Sequence, residues 1–435
     1  MDLLKKKKIL LLSTGDINGA YEYIYRLGNL LIQEGHHVAM LVKYKTKPDS
    51  FIFSYEDEQL LKNKTIAQRV LLKIFNRFIK KSKPQPIFDS NYDFISVDET
   101  SVNVYAKQIV KLISFTPDYI FTGMTDRFMN STDLLNLQQL TNAQVYNITV
   151  DMNHFTGGCH FAWDCKGYIE GCKQCPAIKS SHGSDIAKIN FETKLANATK
   201  GKFQILTGSG WTLMQAKESK IYKNQLNFVN INSLIDTKVF NNKSRPFAKQ
   251  IFNLKEENFY ILMGCQNSNS KRKGFEYLLE SLQILFEKLD DEQRQRIKVL
   301  IVSRNLTESF KDIPFEKQHI DYVNDYRLLS LLYQASDVFV NSSIEDSGPM
   351  MVSEALACGT PVVGFNMGVV SNLVINNFNG YKAELKNAND LAEGLSLITQ
   401  LSCIAFEKMS GNAVNSIEEL SSFDSAKKIL TDLLK

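Results

Sequence analysis

Long apolar runs are missing from this sequence of 435 residues. The run near its start, Ile9–Leu12, falls short of the roughly 7–15 residues of a secretory h-region and the about 20 of a membrane-spanning helix. The expectation is an interior first strand behind a basic tail, in a cytoplasmic protein. A large excess of one charge is also missing. A formal net charge of +4 is too mild to argue for nucleic acid as a partner. No internal repeat and no low-complexity linker divide the chain. No Asp-x-Asp pair occurs, so the sequence offers no such motif for holding a divalent cation against a diphosphate.

What is present is an alternation of short apolar runs with helical segments. Strands are expected at Ile9–Ser13, Val38–Val42, Tyr119–Thr122, Val145–Val150, Phe203–Thr207 and Phe228–Ile231. A second series follows at Phe259–Met263, Lys298–Val302, Val338–Val340 and Val362–Phe365. Helices are expected over Ala20–Glu34, Lys273–Leu289 and Asp325–Ala335. Alternation of this kind assembles parallel sheets. Two doubly wound α/β domains are predicted, residues 1–236 and 237–409, with 410–435 packing back on the first.

The most informative stretch is 344–368, IEDSGPMMVSEALACGTPVVGFNMG. Glu345 and Asp346 precede a Ser-Gly-Pro turn, and Pro349 suits the first position of a helix. The amides of Gly348, Pro349's successors Met350 and Met351, and the positive end of the helix dipole can hold a diphosphate. Glu354, a little over one turn in, can accept hydrogen bonds from ribose hydroxyls. The competing reading is a surface helix whose acids offset its dipole.

Seven cysteines are an odd number, and four crowd together: Cys159, Cys165, Cys172 and Cys175, spaced C-x5-C-x6-C-x2-C. The C-x2-C end can chelate zinc through two thiolates, with the earlier pair completing a tetrahedron. A structural zinc, two disulfides and free thiols all stay open. From Lys62 to Lys83 there is no acidic residue, and a helical projection sets Val70, Ile74, Phe78 against Arg69, Lys73, Arg77. Such a segment fits contact with anionic lipid on the inner face of the cell membrane, or a core-facing helix with a solvated basic side.

Several segments together resemble the retaining family-4 glycosyltransferases of the GT-B fold, in particular bacterial members that build capsular, exopolysaccharide and cell-wall glycans. Asp346 and Glu354 hold that family's acid-x7-acid register, and Glu354 to Val363 matches the run that follows it. Gly264-Cys265-Gln266 through Lys271-Arg272-Lys273-Gly274 matches its diphosphate-gripping loop, with Ser268 where an Arg is common. Asp151-Met152-Asn153-His154 matches an acceptor-side segment, with Val150 where relatives carry His. The opening loop, with Asp16, Asn18 and Gly19, has one glycine where relatives often have two.

The resemblance implies two Rossmann-like domains facing across a cleft and transfer from a nucleotide-sugar donor to a glycan or lipid-linked acceptor with retention. It implies Arg272, Lys273 and the 348–351 amides on the diphosphate and Glu354 on the ribose. Asp346 or Glu345 would meet the sugar, and Asp16, Asn18, Gly19, Asp151 and His154 the acceptor side. Catalysis would rest on Asp346, Glu345, Asp151 and Lys273 and require no cofactor. The four-cysteine run also occurs in such relatives. A sugar-nucleotide epimerase or phosphorylase on the same fold, and a non-catalytic partner subunit, are the alternatives.

Overall fold

A computed structural model describes residues 6–17, 19–55, 87–89, 91–95, 98–179, 186–264, 270–304 and 308–435. The chain divides into two units. The first comprises Met1–Thr207, Leu213–Val229 and Leu434–Lys435, and the second Gly208–Thr212 and Asn230–Leu433.

The first unit is built on a seven-stranded sheet. Its strands are β1 (Lys8–Gly15), β2 (His37–Tyr44), β3 (Ile52–Ser54), β4 (Tyr119–Thr122), β5 (Gln144–Thr149), β6 (Gln204–Thr207) and β7 (Val229–Asn230). They lie in the order β3-β2-β1-β4-β5-β6-β7. β1 is central because helices cover both faces of a parallel sheet, which calls for a continuous apolar run rather than alternation. Ile9 to Leu12 are fully buried, and Ile9 pairs in parallel with Val38 on one side and Tyr119 on the other. The helix Ser131–Thr141 begins with a capping box between Asn130 and Asp133, which satisfies amide donors that lack an intrahelical partner.

The second unit holds a six-stranded sheet: β8 (Phe259–Gly264), β9 (Ile297–Ser303), β10 (Glu316–Asp321), β11 (Val338–Asn341), β12 (Val362–Phe365) and β13 (Gly380–Ala383). The order is β10-β9-β8-β11-β12-β13, with parallel pairing throughout. Two parallel-sheet Rossmann-like units are the expected architecture. β10 and β13 escape the sequence reading because they are edge strands. β10 reads EKQHID with no residue buried, so it carries no apolar signal.

Two boundaries differ from the expectation. The first unit ends at Thr207 and takes back Leu213–Val229, rather than ending at residue 236. The segment expected to pack on the first unit, 410–435, belongs to the second except for Leu434–Lys435. The reason is its apolar stripe: on the helix Cys403–Leu420, Ala413 and Ile417 are buried in one core cluster with Val352, Ala355 and Leu356. Ile235 exchanges backbone bonds with this segment as well, at 2.9 Å from Ile235 N to Ser421 O and 3.0 Å from Phe423 N to Ile235 O.

Candidate functional site

In a parallel sheet all carboxyl ends lie on one edge, where α/β folds bind ligands. In the second unit β8 and β11 lead from that edge into the two segments that the sequence singles out. Lys271–Lys273 forms a single 3-10 turn, and the helix starts after Gly274, at Phe275, rather than at Lys273. Main-chain bonds hold this turn to the strand end: Ile344 N donates to Arg272 O at 2.8 Å, and Ser342 Oγ to Lys273 O at 2.9 Å. Gly274 sits at φ +59, and a Cβ there would lie 2.1 Å from Ser342 O. Only glycine allows so close an approach.

That approach brings the charges together. Lys273 Nζ lies 2.6 Å and Arg272 Nη1 2.7 Å from the same oxygen, Asp346 Oδ2. Gly348 N donates to Asp346 Oδ1 at 3.3 Å. Burial would raise the Asp346 carboxyl, but Lys273 and then Arg272 outweigh it and hold it down to about 2. Asp346, expected to face a sugar, is therefore the anchor of the two cations expected to face the diphosphate. The neighbouring Glu345 is buried, and its amide reaches Arg272 O at 3.3 Å.

The helix Met350–Ala357 opens one residue later than expected, with Pro349 as its N-cap. Pro349 has ψ 119, which is extended, so it ends the turn and does not enter the helix. Met351 packs on the end of β8, where a Cβ on Gly264 would meet its Cε at 2.3 Å. Glu354 is buried and accepts from Tyr333 Oη at 2.9 Å. Tyr333, on the helix Tyr326–Gln334, was invisible as a site residue because it reads as one more core aromatic.

In the first unit the loop after β5 gathers a second polar cluster. Asp151 is buried, accepting from His160 Nδ1 at 2.6 Å on one oxygen and from Asn153 N at 2.8 Å on the other. Burial opposes both charges. Asp151 nonetheless raises His160 and His160 lowers Asp151, so the two form an ion pair. Lys194 enters from the helix Ile186–Gly201 and donates to Asn153 O at 2.7 Å, with Glu99 at 3.5 Å. His154 bonds Gly123 O at 2.9 Å, and desolvation lowers its pKa. A cavity of about 40 Å³ is lined by Asp126, Asn130, Asp151, Asn153, His154 and Lys194, among others. Asp151 and His154 thus line one cavity. His160 and Lys194 were missed, since a His inside a cysteine run and a Lys inside a helix give no separate signal.

The opening loop is different. Asp16 is fully buried and accepts from the amides of Thr46 and Lys47, each at 2.8 Å, and from the Thr46 hydroxyl. Its carboxylate ties down the turn after β2 and is committed there, which corrects its expected place at an acceptor. Gly19 opens the helix Gly19–Gln33 at φ +48. Asn18 lies outside the described residues, as do the basic segment 62–83, Cys265 and Ser268. No helix among the described residues is long and apolar enough to cross a membrane.

Cys159, Cys165, Cys172 and Cys175 line one cavity of about 20 Å³, and none is in a disulfide. The Cys159 thiol donates to Cys175, which raises Cys159 and brings Cys175 down to about 7. Among the described residues, no three His, Cys, Asp or Glu side chains stand where they could hold a metal ion.

Residues 244–414, nearly the whole β8–β13 unit, match the family model described as glycosyl transferases group 1. An uncharacterized glycosyltransferase of Haemophilus influenzae is 31% identical over 136 residues, 29% of this chain and 36% of that relative. The chain thus aligns with little more than a third of that protein's length. An uncharacterized glycosyltransferase of Methanocaldococcus jannaschii is 26% identical over 279 residues, 61% of this chain and 70% of the relative. Anabaena Alr3699/HepE, solved in complex with UDP-glucose, is similar at a TM-score of 0.60 and 13% identity, over 98% of this chain and 99% of that one. The likeness is one of fold, and the fold is the GT-B class.

Proposed function

We propose that this chain is a glycosyltransferase that moves a sugar from a nucleotide-sugar donor to a glycan or lipid-linked acceptor. The proposal extends to retention of configuration and a role in surface polysaccharide or cell-wall glycan synthesis. One observation carries it: two cations and the start of a helix meet at the carboxyl edge of the sheet that the family model covers. The structural neighbour bound to UDP-glucose supports a donor of that chemical class.

The charges favour an anion. Arg272 and Lys273 bring two positive charges together at Asp346, and the amides at the start of Met350–Ala357 add the positive end of a helix dipole. A diphosphate seated there keeps its leaving charge stabilised as the bond from anomeric carbon to phosphate oxygen breaks. Preorganised donors aimed at developing charge are the largest usual contribution to such a step. In the front-face course implied by retention, the acceptor oxygen bonds to the anomeric carbon and its proton passes to the departing phosphate. Asp346 fixes the two cations and Glu354, oriented by Tyr333, stands one turn further along for the ribose. The first-unit cluster of Asp151, Asn153 and His154 supplies polar contacts for the acceptor.

The test is a panel of nucleotide sugars, read by thermal shift and by release of nucleotide diphosphate with and without glycan or lipid-linked acceptors. A ligand that binds only the folded state adds about 2.7 kcal/mol at one hundred times its Kd. One donor is expected to raise Tm and to release its diphosphate when acceptor is present. Binding without release favours a non-catalytic subunit, and an altered sugar nucleotide an epimerase. No binding by any donor would overturn the reading. For the membrane-side location, co-sedimentation should be stronger with anionic than with neutral liposomes.

A further inference from the structure

The four cysteines of the first unit stand apart from the transfer chemistry, and their surroundings point to a ligand. Backbone amides are aimed at two of the sulfurs. Gly157 N donates to Cys172 Sγ at 3.1 Å and Gly167 N to Cys165 Sγ at 3.4 Å. A neutral thiol is a weak acceptor, whereas a thiolate is a strong one, so N–H groups converging on sulfur suit anionic sulfur. The backbone is shaped for the same purpose. Cys172 and Gln174, within the C-x2-C turn, both adopt left-handed conformations at φ 53 and 52. Such conformations are costly for residues other than glycine and persist where the surroundings demand them.

Four sulfurs line one small cavity whose remaining wall includes Phe94, Ala162, Tyr168 and Ala187. Several thiolates cannot stay charged beside such a wall without a cation to compensate them. Lys173 is the one charged residue among the lining groups. The donor set, four soft sulfurs with C-x2-C at one end, matches a closed tetrahedral zinc site, in which Zn–S distances are about 2.3 Å.

We propose that Cys159, Cys165, Cys172 and Cys175 bind one Zn²⁺ as a structural site that staples the loop after β5 to the segment ending at Ala177. The thiols as they stand are not gathered around a common point. Binding therefore includes rotation of their side chains about χ1, for which Cys165, Cys172 and Cys175 are only partly buried. Each bound thiolate releases its proton to solvent, and no oxidation is involved. With four protein ligands the ion has no open position, so its role is to stabilise the loop that carries Asp151 and His154 and not to catalyse.

The experiment uses the full chain purified without chelator under reducing conditions. Metal analysis is expected to find about one zinc per chain, falling to below about one tenth in the Cys172→Ser/Cys175→Ser double variant. Cys403→Ser, an exposed cysteine outside the cluster, should keep its zinc. Should the double variant fail to fold, the wild-type protein reconstituted with Co²⁺ decides the matter. Tetrahedral sulfur coordination gives intense d–d bands and sulfur-to-cobalt charge transfer. Zinc below about one tenth per chain together with a cobalt sample lacking those bands overturns the proposal. A Cys159–Cys175 disulfide found by mass spectrometry in the freshly purified protein overturns it as well.

Discussion

Lys273 Nζ stands 2.6 Å from Asp346 Oδ2, and the contact joins two segments separated by more than seventy residues. The pair is close because Gly274 lets its turn come against Ser342, and because Arg272 and Lys273 share a single carboxylate oxygen. Removing any one member of the cluster changes the size of the local field.

Lys273→Ala should cut kcat/KM by about 10²–10³, as loss of one preorganised donor does in related chemistry. Folding should survive, since Arg272 still compensates Asp346. The measurement is steady-state release of nucleotide diphosphate, with Tm as the control. Unchanged turnover would remove Lys273 from the site.

Asp346→Asn should separate binding from turnover. It removes the negative charge that both cations share, so the free nucleotide diphosphate should bind more tightly while kcat falls. Calorimetry with the diphosphate and a rate assay read the two halves. Weaker diphosphate binding in this variant would argue that Asp346 does not compete for the cations.

Stability should depend on pH at both ends. Asp346 and Asp151 have lowered pKa values, so their contributions are complete above the usual carboxylate value of about 4 and fade as pH falls through the folded values. For Asp346, held at about 2 with its side chain only 10% exposed, this amounts to something on the order of 2 kcal/mol. His160 is raised, so its contribution is complete below about 6.5 and fades as pH rises through its folded value. Denaturant unfolding across pH should show losses on both sides. In His160→Gln the alkaline loss should vanish, with a general cost of about 3–5 kcal/mol from leaving buried Asp151 without its charged partner, Asn153 N still donating.

Tyr333→Phe should cost about 1.5–3 kcal/mol, the range for a hydrogen bond to a charged group, because Tyr333 Oη donates to buried Glu354. The nucleotide-sugar KM should rise at the same time, since Glu354 loses the contact that orients it. A rise in KM without loss of stability would show that the hydroxyl acts on ligand and not on Glu354.

Gly274→Ala should destabilise by about 1–3 kcal/mol and slow transfer, since it adds a Cβ 2.1 Å from Ser342 O at a left-handed position beside Lys273. Gly411→Ala is the matched control. It lies within Cys403–Leu420 with open space at its Cβ, and should stabilise by about 0.5–1 kcal/mol. Thermal unfolding of the two variants should move in opposite directions.

The sequence by itself determined the two parallel sheets and most strand positions. Those features depend on a local signal, apolar runs buried on both faces. β4 and β12 fall where their short buried runs, YIFT and VVGF, place them. Only the tertiary structure decided which charges meet. Asp346 is separated from Arg272 and Lys273 along the chain, and nothing in their spacing says that they converge on one oxygen. Asp16 was equally opaque, because its partners on Thr46 and Lys47 are backbone amides, which every sequence contains and none announces. The same holds for the return of Ala413 and Ile417 to the second core, where an apolar stripe declares that it must be buried but not against what.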